Sequence, residues 1–404
     1  MKILFITSRL PYPPDRGDRL RAYNFLKAFS REHSVALLSF TESKEENKHI
    51  SSFQSLCSRI ETVILPKWQS KLNAMVYGPW SKTPLQVLYY RSKKFQMLLD
   101  KMVGEFCPDI IFTHLFRLAP YLEKYPHLYR IIDFTDVISS EIKQSLCYRS
   151  FYWRLIYRIE GKRISRCESY YAKTVDESWV ISTFERDKLK ALSNSSSRIF
   201  VIPTGIDQDR FFPVNGVTKQ EGLVTFVGHM GGYHNIDAVS YFIDDILPKI
   251  GELVPNVKFR VVGPCIGGFQ SQVKSVSNRI EFAGYIDDLN AELNKAMVFV
   301  APLRFAAGIQ FKILEAMFVG LPVVTTSYGN SGLQAVHGND LFVEDTPDHF
   351  AERVAELLRD EELRGKIGSA GREFVMSRFS WDQSTQRLVK VSKLLTERIT
   401  DNII

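Results

Sequence analysis

Apolar runs short enough to be buried strands alternate, almost from end to end, with stretches whose apolar residues recur at helical spacing. That alternation predicts an α/β protein with parallel sheets, because every parallel pair needs a crossover and the crossovers cover the sheet faces. Two strand series can be traced. The first runs through Lys2–Thr7, Ser34–Phe40, Thr62–Leu65, Ile110–Thr113, Ile131–Phe134, Ser178–Ile181 and Ile199–Ile202. The second runs through Leu223–Val227, Lys258–Val262, Ile280–Phe282, Val298–Ala301, Pro322–Thr325 and Asp340–Val343. Each has the length of a Rossmann-like unit. Between them, Pro203-Thr204-Gly205-Ile206-Asp207 and a polar stretch to Glu221 mark the expected boundary. Domains are expected at 1–205 and 206–380, followed by a terminal helical segment at 381–404, with ligands in a cleft at the carboxyl ends of the strands.

Composition narrows this picture. A chain of 404 residues, 45% of them hydrophobic, can fill two full-sized cores. No apolar run reaches the roughly eighteen residues of a membrane span, and Met1–Thr7 reads as a strand rather than a signal peptide. Cys57, Cys107, Cys147, Cys167 and Cys265 are widely spaced and form no C-x-x-C, so neither a disulfide framework nor a metal site is expected and a cytoplasmic setting fits. The net charge of +7 conceals an asymmetry: residues 1–200 hold 32 basic against 20 acidic side chains, the remainder 20 against 25. The first half is therefore +12 and the second −5, which suits an anionic partner for the first. Within it, residues 148–166 interleave Phe151, Tyr152, Trp153 and Tyr157 with Arg149, Arg154, Arg158 and Arg163. Such a face suits an anionic membrane surface on its cytoplasmic side, or a lipid-linked substrate. The plainer alternative packs the aromatics on the core and leaves the arginines solvated.

The stretch with the clearest chemistry is Gly308-Ile309-Gln310-Phe311-Lys312-Ile313-Leu314-Glu315-Ala316-Met317. A strand feeds a glycine-containing turn that opens a helix, and the open N–H groups and dipole of a helix start favour an anion. Lys312 suits phosphate oxygens and Glu315 suits the paired hydroxyls of a ribose. Together they predict a nucleoside diphosphate site. An ordinary amphipathic helix, with Ile313, Leu314 and Met317 in the core and both charges solvated, is the alternative. Nearby strand ends add Gly228-His229, Arg304 and the loop at Tyr285 and Ile286, whose backbone groups suit a nucleobase. The Gly228–Asn235 loop is not G-x-G-x-x-G, and Val262-Gly263-Pro264 supplies no acidic residue where a dinucleotide would want one. NAD is therefore disfavoured, and no nucleic-acid module is recognisable.

In the first unit, a proline-rich loop delivers Arg16, Gly17, Asp18, Arg19 and Arg21 to a helix start, with Asp18 as the expected N-cap and the arginines as positive charge for an anion or acceptor. His114 ends a strand, where a neutral imidazole suits a sugar hydroxyl or a proton. Asp133 and Asp136 end the next strand as hydroxyl-binding carboxylates, Asp136 alternatively as a helix cap.

These residues resemble the bacterial family 4 glycosyltransferases of the GT-B fold, in particular the sugar transferases of exopolysaccharide gene clusters. The resemblance spans nearly the whole chain and is carried by Tyr12-Pro13-Pro14-x-x-Gly17-Asp18, Phe226-Val227-Gly228, Asn235-Ile236-Asp237-Ala238, Gly308-Ile309-Gln310-x-Lys312-x-x-Glu315-Ala316-Met317 and Phe379-Ser380-Trp381-Asp382. It departs in three places. Pro203-Thr204-Gly205-Ile206-Asp207 replaces the usual Pro-Asn-Gly-Val-Asp, Ala307 stands where the first of two glutamates belongs, and His229 with His234 or Asn235 replaces an arginine and a lysine. The resemblance implies two Rossmann-like domains facing across a cleft and a last helix crossing back to the first. It also implies sugar transfer with retention from a nucleoside diphosphate donor, held by the second domain, to a glycan or lipid-linked acceptor held by the first. No metal or cofactor is implied. His114, Lys312 and Glu315 become the expected catalytic residues. A sugar-nucleotide epimerase of the same fold, or a degenerate donor-binding subunit as Ala307 suggests, are the competing expectations.

Overall fold

The computed structural model describes residues 1–380 apart from 15–16, 79–80, 194–197, 215 and 266–277, and beyond these only 386, 389–390, 393 and 397. The chain divides into two compact units, meeting at Thr204 and Gly205. The expected terminal helix after residue 380 falls mostly outside the described residues.

The first unit carries a parallel sheet of β1 (Lys2–Thr7), β2 (Ser34–Thr41), β3 (Arg59–Ile64), β4 (Ile110–His114), β5 (Tyr129–Thr135), β6 (Glu177–Val180) and β7 (Ile199–Val201), in the order β3-β2-β1-β4-β5-β6-β7. The second carries β8 (Leu223–Val227), β9 (Lys258–Val262), β10 (Ile280–Gly284), β11 (Val298–Ala301), β12 (Val323–Thr325) and β13 (Phe342–Val343), in the order β10-β9-β8-β11-β12-β13. Both are doubly wound. In each, the strand order reverses beside the unit's first strand, between β1 and β4 and between β8 and β11, and it is at such reversals that open α/β sheets bind ligands.

Alternation along the strands explains why both sheet faces are dry. Ile3 and Phe5 join one core with Phe25, Phe112 and Trp179, while Leu4 and Ile6 point the other way into a core with Leu38, Phe95 and Leu99. The strands read as unbroken apolar runs for this reason. In the second unit, Val224, Phe226, Phe259 and Val261 pack with Phe242, Ile250 and Val354. The family resemblance is met at this level: the architecture is the α/β, two-Rossmann GT-B fold.

Two strand ends in the first unit carry backbone strain. Leu115, just past β4, has φ 71°, and Thr135, at the end of β5, has φ 63°. Neither residue adopts the left-handed region readily, and such conformations persist where surrounding contacts over-determine them, commonly at functional sites.

Candidate functional site

In the second unit the helix Phe311–Phe318 follows β11 through a loop that leaves the sheet at its order reversal, with Gly308 at φ 59° making the turn into it. Ile313, Leu314, Ala316 and Met317 are buried, which fixes the rotation of the helix and turns Lys312 and Glu315, three apart, to the same opposite stripe. Both side chains are half-buried, so their charges are only partly solvated, unlike the fully solvated pair of the plainer expectation. Burial pushes the Lys312 ammonium down to about 7, against a smaller upward pull from Glu315. Burial likewise pushes the Glu315 carboxyl up to about 7, against Arg210 and Lys312. A half-buried cation whose charge is held close to neutrality is a group suited to an anion.

Lys312 is aimed by its neighbours. Its Nζ donates to Asn235 Oδ1 and lies 4.7 Å from the centre of the Phe226 ring, while Asn235 Nδ2 donates 3.0 Å to His229 O. One amide thus ties the lysine to the loop after β8. His229 itself is exposed, and its Nδ1 accepts from Gly231 N at 2.9 Å. The neutral ring therefore carries its proton on Nε2, where it is a donor. His234, beside Lys312, is pushed down to about 3 by burial and then by that lysine, so it is a neutral wall and not a phosphate cation.

A glycine ledge extends the site along the sheet edge. Gly228 N donates to Val262 O at 2.9 Å and Gly263 N to Gly284 O at 2.7 Å, joining the ends of β8, β9 and β10. Gly263 has φ 131°, and a Cβ there would stand 2.1 Å from Gly228 O, so only glycine fits. The ledge ends at Tyr285, 74% exposed, and Ile286. On the other side, a Cβ on Gly332 would stand 2.0 Å from Gly308 O, so the 331–333 turn braces the loop before the helix. Gln310 Nε2 donates to Ala307 O, closing that loop on itself, and Ile309 is buried beneath it.

Arg304 requires correction as a spare phosphate cation. Its Nε and Nη2 donate to the two oxygens of Asp237 at 3.0 and 2.6 Å, a bidentate pair that neutralises it locally. Asp237 carried no role in the sequence, because its partner is 67 residues away.

In the first unit, Arg21 also requires correction. It is fully buried, with Nε and Nη2 donating to Asp133 at 2.9 and 2.8 Å and Nη1 donating to Ile202 O at 2.8 Å. It holds strand ends together instead of meeting an external anion. Asp133 is equally committed: His114 Nδ1 lies 2.8 Å from the Oδ2 that also takes Arg21 Nε and, at 3.0 Å, the Thr135 hydroxyl. Burial alone would raise the Asp133 carboxyl, but Arg21 and His114 hold it well below the usual carboxylate range. His114 Nε2 is buried with no hydrogen-bond partner, the one ring atom left for a ligand.

Asp18 is not an N-cap. It lies within the first turn of the helix Gly17–Phe29, 3.5 Å from Arg9 Nη1. Burial would raise its carboxyl, and Arg9, His114 and Arg117 outweigh burial, so it is held ionised. Arg9 and Arg117 were missed in the sequence, since nothing local distinguishes them from solvated arginines. Asp136 caps nothing either: the following helix, Ile138–Ser145, starts from Val137 without a side-chain cap. Burial, then Glu185 and Glu141, push the Asp136 carboxyl well above its ordinary range, and among the described residues its buried Oδ1 has no hydrogen-bond partner. Arg16 lies outside the described residues.

Of the basic aromatic segment, Ile164 and Glu160 are buried while Phe151, Tyr152 and Trp153 stand 84%, 68% and 52% exposed, so the leading aromatics are not packed on the core. Among the described residues no helix is long and apolar enough to cross a membrane.

Residues 221–360, which contain the Lys312 site, match the family model for glycosyl transferases group 1. This stretch is a glycosyl transferase group 1 domain. Over 234 residues the chain is 25% identical to a GDP-mannose-dependent alpha-(1-6)-phosphatidylinositol monomannoside mannosyltransferase of Mycobacterium tuberculosis, an alignment covering 52% of this chain and 59% of that enzyme. The chain thus spans little more than half the length of that relative. It is 22% identical over 369 residues to an uncharacterized 44.6 kDa protein in the cps region of Klebsiella pneumoniae, covering 87% of this chain and 90% of that one. Among solved structures, sucrose-phosphate synthase of Thermosynechococcus elongatus superposes with a TM-score of 0.74 at 16% identity, over 98% of this chain and 100% of the other. The Anabaena protein HepE in complex with UDP superposes at 0.67 and 16%, over 97% and 100%. These two likenesses concern the fold.

Proposed function

We propose that the glycosyl transferase group 1 domain binds a nucleoside diphosphate sugar and that the chain transfers the sugar, with retention, to a glycan or lipid-linked acceptor in cell-surface polysaccharide synthesis. The observation that carries this reading is the desolvated Lys312, held by Asn235 at the start of the helix Phe311–Phe318 and sharing one helix face with Glu315. A diphosphate restores the lysine charge, and the carboxyl three residues on suits the ribose hydroxyls. The N–H groups of the first helical turn and the Nε2 proton of His229 add donors for the charge that develops as the diphosphate departs. The Gly228–Gly263–Gly284 ledge leaves the backbone open toward Tyr285 and Ile286 for a base. On the first unit, the unpartnered Nε2 of His114 receives a hydrogen bond from a hydroxyl of the sugar or acceptor, while Asp133 fixes the ring.

The relatives lend support in kind: one uses GDP-mannose and a phosphatidylinositol mannoside by its name, another lies in a cps region, and HepE holds UDP. Family 4 membership and peripheral contact with the cytoplasmic membrane belong to the same proposal. The test is product analysis with a nucleotide sugar, with and without a phosphorylated lipid acceptor. Glycosylated acceptor supports transfer; an epimerised nucleotide sugar formed without acceptor refutes it in favour of the epimerase. Unreacted donor that nevertheless binds tightly refutes it in favour of the degenerate subunit.

A further inference from the structure

The first unit contains a second site that none of this uses. A cavity of about 600 Å³ opens among the helix Leu85–Tyr89, the start of the helix Lys93–Phe106, the short helix Phe116–Leu122 and the later turns of the helix Phe151–Thr174. That volume lies in the range of about 300–1,000 Å³ usual for small-molecule sites. Val87, Leu88, Tyr121 and Tyr171 give it an apolar wall. The wall is held rigidly: Tyr121 Oη donates to Tyr90 O at 2.7 Å and accepts from Ser92 N at 2.8 Å, and Tyr171 Oη donates to Glu123 at 2.6 Å.

The charge of the cavity is one-sided. Lys82, Lys93, Arg117 and Arg166 all line it, and among the described residues none of the four sits in an ion pair. Among the described residues Glu123 is the one carboxylate in the lining, and it accepts from the Tyr171 hydroxyl. Three further observations point inward. The helix Lys93–Phe106 presents its positive end here, with Lys93 and no acidic residue in its first turn, where a carboxylate would ordinarily be favoured. Arg117 Nε is buried without a hydrogen-bond partner. Arg117 also follows His114 by three residues and acts on the Asp18 carboxylate, which puts this wall beside the carboxyl end of β4.

The rim continues into apolar surface. Arg91, on the rim, lies 4.7 Å over the Tyr77 ring, and its carbonyl accepts from Asn73 Nδ2 at 3.0 Å. Both partners belong to the helix Lys67–Tyr77, whose Trp68, Leu72, Met75 and Val76 are exposed. An apolar cavity, unpaired cations and an apolar apron describe a ligand that is greasy over most of its length and anionic at one end.

We propose that this cavity binds an amphiphile carrying a phosphate, the phosphate answered by Lys82, Lys93, Arg117 and Arg166 and the hydrocarbon by Val87, Leu88 and the exposed face of the helix Lys67–Tyr77. Resting on the transferase reading, this ligand is the lipid phosphate of the acceptor; without that reading it is a membrane phospholipid headgroup.

The test is calorimetric titration of the full chain with decyl phosphate below its micelle-forming concentration, with decanol and with inorganic phosphate, each repeated on the Lys93→Glu/Arg166→Glu variant. Both replaced residues are exposed, so the variant retains its fold, and its UDP and GDP titrations check this. Decyl phosphate binds at one site, at least about tenfold tighter than either fragment, and the variant weakens it by about tenfold or more. Decanol binding as well as decyl phosphate, inorganic phosphate doing so, or an unaltered affinity in the variant overturns the proposal. Loss of nucleotide binding with decyl phosphate binding retained would sink the donor reading and leave this site standing; the reverse would do the opposite. A second arm separates the sources: sedimentation with phosphatidylcholine vesicles containing phosphatidic acid, reversed by decyl phosphate, assigns the membrane, and its absence alongside decyl phosphate binding assigns a single lipid acceptor.

Discussion

His114 Nδ1 lies 2.8 Å from Asp133 Oδ2, and that carboxylate is itself gripped by Arg21 from a helix 112 residues away. An ionised carboxylate can only accept, so Nδ1 donates, and whenever the ring carries a single proton its lone pair is displayed at Nε2. His114→Ala is expected to leave nucleotide affinity unchanged while lowering transfer by about 100-fold or more, the usual worth of a positioned proton-transfer group. Separate donor-binding and single-turnover measurements check this.

Arg21→Met leaves Asp133 buried without its cation and is expected to cost about 3–5 kcal/mol in urea unfolding at pH 7. The Asp133 carboxyl is held below its unfolded value, so the stability it contributes is fully present above that value, starts to fall below it and is lost as pH drops through the lower folded-state value. The difference between wild type and variant should therefore shrink below about pH 4, the ordinary carboxylate value.

Lys312 sits near pKa 7 in the free protein, so at pH 8 it is largely neutral. A bound diphosphate favours its charged form and raises that value. Nucleotide binding at pH 8 should then take up most of one proton, on the order of 0.5–1, read from binding enthalpies in HEPES and in Tris. Affinity should fall as pH rises further. Lys312→Met abolishes the uptake and, with Glu315→Gln, weakens binding by about 10–100-fold, the worth of a charged hydrogen bond.

Gly332→Ala would bring a Cβ to 2.0 Å from Gly308 O and 3.1 Å from Ile309 N. The loop before the Lys312 helix must move, at a cost of about 1–3 kcal/mol, and nucleotide affinity should drop although residue 332 carries no chemistry. Gly338→Ala, with φ 76° but open space around it, should cost stability without that loss of affinity.

What the sequence disclosed follows from the range of each interaction. Strands such as Leu223–Val227 and Val298–Ala301 coincide with the apolar runs, because a strand buried on both faces has no polar positions to blur its ends. The Lys312 helix was legible from the local pattern Gly308–Met317. The pairs Arg21–Asp133, Arg304–Asp237 and Lys312–Asn235 were not, since their members lie 67 or more residues apart and are brought together by the tertiary fold. Arg21 read as charge for an external anion because the groups that bury and pair it, Asp133 and Ile202 O, arrive from distant strand ends. Gly332 was likewise silent, as its close approach to Gly308 is a tertiary contact.

The most direct measurement is thermal unfolding of wild type and Lys312→Ala against UDP-, GDP-, TDP- and ADP-sugars, since a ligand bound only by the native state raises the melting temperature by mass action. One nucleotide sugar should raise the wild-type melting temperature, and Lys312→Ala should lose most of that rise while melting normally on its own. No rise with any of the four, or the same rise in both proteins, would contradict a donor site built on Lys312.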